Sequence, residues 1–352
     1  SISNSDNVII RNNQLYDNDD GMLISGFNGL IEGNTLYNNT ATSIDVRNDS
    51  QVINNEIYNG DLAILLENSA VAKNNLIYDN DRGIYAAGSH TQAFGNTVYS
   101  QDNYGIALRR GSSAIGNTVY DNTIGIRNVN VTNSDFTGEI AYNLIYNNID
   151  TALDLSYETG IGGVYHNTIY QEVGDAVRLN DTGNGELMNN IIWTDQGNVL
   201  FFETPDVSIH ADRNVYFRGD DLTNADVLVA DGGPAYATLA DWVAAAATQN
   251  AHSFEADPGF IDPDGADDVI GQSPLRASDD NFNLTAASVA IDAAASWKGQ
   301  STDLIGTPRL DDPGKANTGS DAYQIVQLSG QPFNTTGIGQ NYRTSNGLYN
   351  YN

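Results

Sequence analysis

One short phrase, Asn-x-[Leu/Ile/Val]-[Tyr/Trp], recurs along the first two-thirds of the chain and fixes what it can fold into. It reads Asn13-Gln14-Leu15-Tyr16, Asn34-Thr35-Leu36-Tyr37, Asn55-Glu56-Ile57-Tyr58, Asn75-Leu76-Ile77-Tyr78, Asn96-Thr97-Val98-Tyr99 and Asn117-Thr118-Val119-Tyr120. Wider copies follow at Asn143-Leu144-Ile145-Tyr146, Asn167-Thr168-Ile169-Tyr170 and Asn190-Ile191-Ile192-Trp193, with a looser one at Asn214-Val215-Tyr216-Phe217. Successive asparagines lie 21, 21, 20, 21, 21, 26, 24, 23 and 24 residues apart. Six or seven residues after each of the first nine aromatics comes a second apolar element, as in Met22/Ile24, Ile44/Val46, Ile64/Leu66 and Leu153/Leu155. The residue between each such pair varies freely, which is the period-two alternation of a strand.

A unit of about 21 residues built from short strands cannot bury its own apolar side; stacking copies buries it, which makes a solenoid. Helical repeats need about 33–34 residues, and leucine-rich repeats need a different leucine spacing. The pattern therefore predicts an all-β parallel β-helix of about ten or more rungs. The inward asparagine has a physical task there. Its amide donates to one rung and accepts from the other, so a buried polar corner is satisfied by a ladder. Asn, Asp and Gly fill the intervening corners, as in Asp17-Asn18-Asp19-Asp20-Gly21, because they tolerate left-handed backbone.

Composition narrows the function classes. The net charge is −30, with 15 Lys+Arg against 45 Asp+Glu, which argues against nucleic-acid binding. With no cysteine there is neither a disulfide framework nor a thiolate metal site. No apolar run reaches the roughly 18–20 residues of a membrane span. The abundance of Asp favours solubility and cation binding and suits a saline or calcium-rich exterior. The chain starts at Ser1 inside a repeat and shows no signal peptide, as a mature or excised piece would. The regular repeats occupy 1–217, and 218–352 is expected to supply terminal rungs, one short helix over Asp241–Thr248 and an irregular C-terminal cap.

The run Asn74–Ala87, NNLIYDNDRGIYAA, resembles the repeat of the right-handed parallel β-helix superfamily, which includes pectate-lyase-like proteins, alginate lyases and mannuronan epimerases. Thr238–Gly265 followed by Asp279–Ala294 is similar to the closing segment of many secreted bacterial β-helix proteins. There a short helix precedes a DPGF turn, a final strand and an SPAID element; Ser288-Val289-Ala290-Ile291-Asp292 stands in its place here, with Val for Pro. The resemblance implies a right-handed coil and a secreted or cell-surface protein. It does not choose among lyases, hydrolases, epimerases and inert scaffolds.

Outward residues of neighbouring rungs align in columns. One column of the second element reads Leu23, Asp45, Leu65, Tyr85, Ala107, Arg127, Asp154, Arg178 and Phe201, and the next includes Arg109. Sparse positive charge gathers there. A lyase on a uronate polymer must neutralise a carboxylate, take the C5 proton and protonate the leaving oxygen. Arginine pairs with carboxylates and tyrosine can move protons. Tyr85, Arg109, Arg127 and Arg178 are thus candidate catalytic residues, with Asp154 orienting an arginine; the competing reading is a surface ion-pair ladder, Arg127–Asp154–Arg178. A Lys–Arg pair with acidic calcium ligands and a compact Tyr/Asp/His epimerase motif are both missing.

The acidic stretch holding Asp257, Asp262, Asp264 and Asp267 offers hard oxygen ligands for Ca2+, although it does not match an EF-hand. The four histidines are scattered without ligand spacing. The aromatic column from Tyr16 to Trp193 is expected to be a stacked structural ladder, with sugar binding as the other reading. Together these features predict a secreted β-helix that binds or processes an anionic extracellular polysaccharide as a lyase or epimerase. The alternative is a non-catalytic structural or adhesive rod that self-associates through its terminal rungs.

Overall fold

The computed structural model describes residues 2, 5–129, 136–155, 161–179, 185–203, 209–219, 228–245, 250–272, 277–291, 293, 342–344 and 347–349 of the 352. Three long sheets run along one coil. The first has ten strands, from Ile9–Arg11 to His210–Asp212. The second has eleven, from Gln14–Tyr16 to Phe254–Glu255, and the third has eleven, from Met22–Ile24 to Ala235–Tyr236. Each sheet takes every third strand in chain order with parallel pairing, until the third sheet ends on the consecutive, antiparallel strands Val229–Asp231 and Ala235–Tyr236. This is the parallel β-helix the repeat predicts. Its pairing continues past residue 217, through Val229–Asp231 and Phe254–Glu255.

Equivalent motif residues sit over one another. Ile57, Ile77 and Val98 are register partners, as are Tyr58, Tyr78 and Tyr99. The inward aliphatics are fully buried, including Ile31, Val52, Ile64, Ile84, Ile106, Val119 and Ile145 at 0% exposure. The corners explain the composition. At the turn before each second-sheet strand, Asn12, Gly33, Asn54, Asn74, Gly95, Gly116, Tyr142, His166, Asn189 and Arg213 take φ between 55° and 65°. At the turn after it, Asp17, Asn38, Asn59, Asp79, Ser100, Asp121 and Asn147 take φ between 50° and 57°. Asx residues and glycine meet that demand at the lowest cost.

The asparagine ladder runs unbroken from Asn13 to Asn214. A typical member, Asn96, donates Nδ2 to Ala72 O and to Asn117 Oδ1, each at 3.0 Å, while its own Oδ1 accepts from the N and Nδ2 of Asn75 at 3.0 and 2.9 Å. At the far end Asn214 N donates to Ser253 Oγ at 3.0 Å. A second ladder, not anticipated from the sequence, lines the next corner. Asn18 leads to Asn39, then after a break at Gly60 come Asn80, Gln101, Asn122, Asn148 and Gln171. Its signal is an amide two residues after the repeated tyrosine, or directly after it at Gln171.

The helix α1 spans Leu239–Ala245, two residues earlier than expected, and residues 246–249 lie outside the described residues. Thr238 sets its start. Its Oγ1 accepts from Asp241 N at 3.1 Å, an N-cap bond, and donates to Asp241 Oδ2 at 2.7 Å. Trp242 anchors it on Phe202 and Tyr216, with ring centroids 6.1 and 6.3 Å away. The segment after it does more than close the end. Residues 256–272 and 277–291 lie along the flank of the second sheet, where Phe260–Asp262 pairs with Asn281–Leu284. Among the described residues no helix is long and apolar enough to cross a membrane.

Candidate functional site on the third sheet

The outward column on the third sheet is real. Leu23, Asp45, Leu65, Tyr85, Ala107, Arg127, Asp154, Arg178 and Phe201 are consecutive register partners. Arg127 and Asp154 therefore stand one rung apart, with Tyr85 two rungs below Arg127. Asp154 is 2% exposed, so this carboxylate is built into the face rather than displayed on it. Arg109 lies just past its strand, Tyr104–Leu108, on the adjoining column, diagonal to Arg127. Its N donates to Ala86 O and Ser112 Oγ, while its Nε is buried and has no acceptor among the described residues.

Arg178 is differently engaged from what the column suggests. Its guanidinium turns to Asp150 and Asp175, each at 3.2 Å, and lies 5.9 Å from the Phe201 ring centroid. It is tied to the corner acids rather than to Asp154, which makes it a poorer candidate for meeting a substrate carboxylate.

Two residues that sequence reading passed over complete the cluster. Arg82 and Tyr104 open their strands and are register partners. Arg82 is fixed by Asp61, with Nη2 2.6 Å from each carboxylate oxygen, and by Asp81 at 3.2 Å. Tyr104 is 8% exposed and packs with Ala107, Ile124, Tyr85 and Val129. Burial pushes its phenol up to about 12, while the Arg82 and Arg127 guanidiniums pull the other way and Arg82 hydrogen-bonds it. The tyrosine is a protonated donor at neutral pH whose phenolate, once formed, has two cations beside it. The signal for this pair lies at the first position of the third strand, one column away from the positions read as outward.

The four aspartates of the acidic loop lie along successive turns. Asp257 accepts from Gly259 N at 2.7 Å and Asp267 from Val269 N at 3.0 Å, so both carboxylates serve their own turn. Asp264 precedes the short 3-10 turn Gly265–Asp267. Asp262 is pushed above its ordinary value by desolvation and by Asp264, Asp268 and Asp279 around it. Among the described residues no three Asp, Glu or His side chains group as a metal ion requires. The histidines also stay apart: His166 is buried against the Tyr142 ring at 5.1 Å, and His252 pairs with Asp212 at 2.8 Å.

The aromatic column is a stack from Tyr16 to Tyr146; beyond it Tyr170 and Trp193 tilt by 53° instead of stacking. Tyr16, Tyr37, Tyr58, Tyr78, Tyr99, Tyr120 and Tyr146 follow one another at 4.9–5.2 Å with interplanar angles of 7–13°. Their faces are used against each other, so mainly ring edges and hydroxyls meet solvent. This removes most of the surface on which a sugar ring would stack.

Residues 1–124 match the family model described as a right-handed beta helix region. Among solved structures, the chain is similar to that of the periplasmic alginate epimerase AlgG, at 15% identity with a TM-score of 0.42, over 59% of this chain and 61% of that one. It is also similar to that of pectate lyase Pel9A, at 10% identity with a TM-score of 0.48, over 84% of this chain and 88% of that one. No curated protein matches the chain.

Proposed function

From the match of residues 1–124 to a right-handed beta helix region and the parallel coil that continues beyond it, we propose that the chain is secreted and acts on an anionic extracellular polysaccharide along the arginine-bearing face of its third sheet, as a lyase or a C5 epimerase. The observation that carries this reading is the buried Tyr104 flanked by Arg82 and Arg127, with Tyr85 on the same face. A uronate carboxylate seated by Arg127 and Arg109 has its charge neutralised, which acidifies the adjacent C5–H. One of the two tyrosines, ionised to its phenolate, takes that proton and becomes a phenol, and the other supplies one from its phenol. In elimination the C4–O bond breaks and the leaving oxygen is protonated, leaving a C4–C5 double bond. In epimerisation the proton returns to C5 from the opposite side. Arg82, fixed by two aspartates, positions Tyr104. Calcium is an assay variable in this reading and takes no step in it.

The test is incubation with polymannuronate, polyguluronate, polygalacturonate and glycosaminoglycans, with and without added calcium. Unsaturated product is followed by ultraviolet absorbance and C5 exchange by NMR in heavy water. Tyr104→Phe is expected to lower kcat by about 100-fold or more with little change in KM. Arg127→Ala is expected to raise KM. Silence of the wild type in both assays, with no binding across the panel, overturns the proposal. A second reading, a non-catalytic rod, draws on the uniform rung-on-rung pairing of the three sheets. It requires concentration-dependent end-to-end assembly visible by electron microscopy.

A further inference from the structure

The second amide ladder repeats one step from rung to rung. Asn80 donates through both its N and its Nδ2 to Gln101 Oε1, at 3.2 and 3.1 Å, and Asn122 does the same to Asn148 Oδ1, at 3.1 Å each. A side-chain oxygen thus meets two donors from the rung before it. Gly60 has no such oxygen to offer. Asn39, on the rung before, is 0% exposed; its Nδ2 reaches Leu15 O at 3.4 Å, and its N has no acceptor among the described residues. On the other side, Asn80 Oδ1 accepts from Gly60 N at 3.0 Å and, among the described residues, from no side chain.

The column beside the ladder answers this defect. The second residues of the third-sheet strands read Ser43, Ala63, Gly83, Gly105, Gly125, Ala152 and Ala176 in register. Ser43 is the polar member of that run. It is 0% exposed, and its Oγ has no hydrogen-bond partner among the described residues. A hydroxyl buried in that state is costly. A Cβ built on Gly60 would lie 3.5 Å from this Oγ, 3.3 Å from Asn80 Oδ1 and 2.9 Å from Asn39 O. The serine therefore stands beside the rung on which the ladder lacks its amide.

The backbone does not close over the place. Asp61 N lies 3.2 Å from Asn39 O and Asp81 N 3.0 Å from Gly60 O, and the Tyr37 and Tyr58 rings stay 5.2 Å apart, as Tyr78 and Tyr99 do. The room that an amide side chain fills on other rungs is kept. Its occupant has to accept from Asn39 N and Nδ2, donate to Asn80 Oδ1 and pair with Ser43 Oγ. These groups are all neutral, so an ion buried there would have no counter-charge among them. Water has two lone pairs and two hydrogens, which match this set, and buried waters make about two to four such bonds. We propose that a permanently buried water molecule takes the part of the missing amide at Gly60, accepting from the N and Nδ2 of Asn39 and donating to Asn80 Oδ1 and Ser43 Oγ. The polar corner is then continuous from Asn18 to Gln171.

Nuclear Overhauser transfer from water to amide protons of the full, deuterated chain tests this. The expected result is a water cross-peak at the Asn39 N–H, with the sign of a water held longer than the protein takes to tumble, and none at the Asn80 N–H, which donates to Gln101. Gly60→Asn supplies the missing oxygen and should abolish the Asn39 cross-peak. Ser43→Ala should keep it, because the other partners remain; this variant also removes the serine hydroxyl proton as a source of the signal. No cross-peak at Asn39 in the wild type, its persistence in folded Gly60→Asn, or its loss in Ser43→Ala overturns the proposal. A high-resolution crystal structure gives a second readout. Density within hydrogen-bond distance of Asn39 N, Asn80 Oδ1 and Ser43 Oγ is the expected result, and a direct bond from Asn39 to Asn80 overturns it.

Discussion

The tyrosine ladder is one structure with two outsides. From Tyr99 to Trp193 it is roofed by the segment after α1. Phe282 lies 4.9 Å from Tyr146 and 5.7 Å from Tyr170, and Phe260 stacks on Trp193 at 5.8 Å. From Tyr16 to Tyr78 the rings keep the same spacing, yet Tyr16 is 50% exposed and Tyr37, Tyr58 and Tyr78 are half-buried. Inside the coil the two stretches do not differ: Ile31, Ile57, Val98 and Ile145 are all at 0% exposure. The repeat makes a uniform interior, and whatever is unequal about the molecule has been added from outside. That separation is open to attack.

The largest effect should come from the roof. Phe282→Ala removes a fully buried ring and should cost about 3–5 kcal/mol in urea unfolding, whereas Tyr37→Ala, half-exposed and stacked, should cost about 1–2 kcal/mol. Equal costs would erase the distinction between the two stretches.

The interior ladder should ignore the distinction. Asn55→Ala under the uncovered tyrosines and Asn117→Ala under the covered ones each strand two donors of the preceding asparagine and a main-chain carbonyl. Each should lose about 2–4 kcal/mol, and the two losses should agree within about 1 kcal/mol. A large gap would mean that the roof stabilises the coil beneath it.

The roof alone should respond to pH near neutrality. Burial lifts Asp121 to about 6, against the pull of Gln272 N–H and Asn147, and lifts Asp280 to about 7, against Gly271 N–H and Tyr146. Both lie above the ordinary value near 4 of an unfolded chain, so the folded state favours the protonated forms. Their stabilising contribution is complete below about pH 4 and is lost as pH rises through 6 and 7. Hydrogen exchange at Ile270–Gln272 should therefore quicken between pH 5 and 8, after correction for intrinsic rate, while the amides of Leu36 and Ile57 stay protected. Unchanged protection at 270–272 would show that the carboxyls do not hold the roof.

The smallest effect concerns an interior flaw under the covered stretch. Asn128 is fully buried opposite Leu108, and neither its Oδ1 nor its Nδ2 has a hydrogen-bond partner among the described residues. Asn128→Leu should stabilise the protein by about 1 kcal/mol, read as a higher urea midpoint. Destabilisation would mean that the amide has an interior partner, such as a buried water.

Much of this was legible in the residues. A grammar repeated every 20 to 26 residues fixes strand, register and inward face, because a one-residue slip would turn every aliphatic outward. The asparagine ladder and the column of Tyr85, Arg127, Asp154 and Arg178 follow from the same periodicity. The second amide ladder was written there as well, at Asn18, Asn39 and Asn80, but Gly60 and Gln101 blur its spelling. The candidate site was half legible. Alternation finds what points outward; it does not find Tyr104 and Arg82, which begin their strands, nor does it say that Arg178 bends to Asp150 and Asp175. The helix start was displaced because Thr238, its cap, precedes the alanine-rich run that marks it.

Taken alone, the sequence determined the coil. Repetition forces neighbouring rungs to make the same contacts, and such nearest-neighbour interactions can be read from spacing. Only the tertiary structure decided which half of the tyrosine ladder is roofed, that Arg82 and Arg178 turn to aspartates at the corners, and where Tyr104 is buried. Those outcomes join residues more than a hundred positions apart, as Asn147 meets Ile270, or balance burial against charge at one side chain. No periodicity encodes a contact that occurs once.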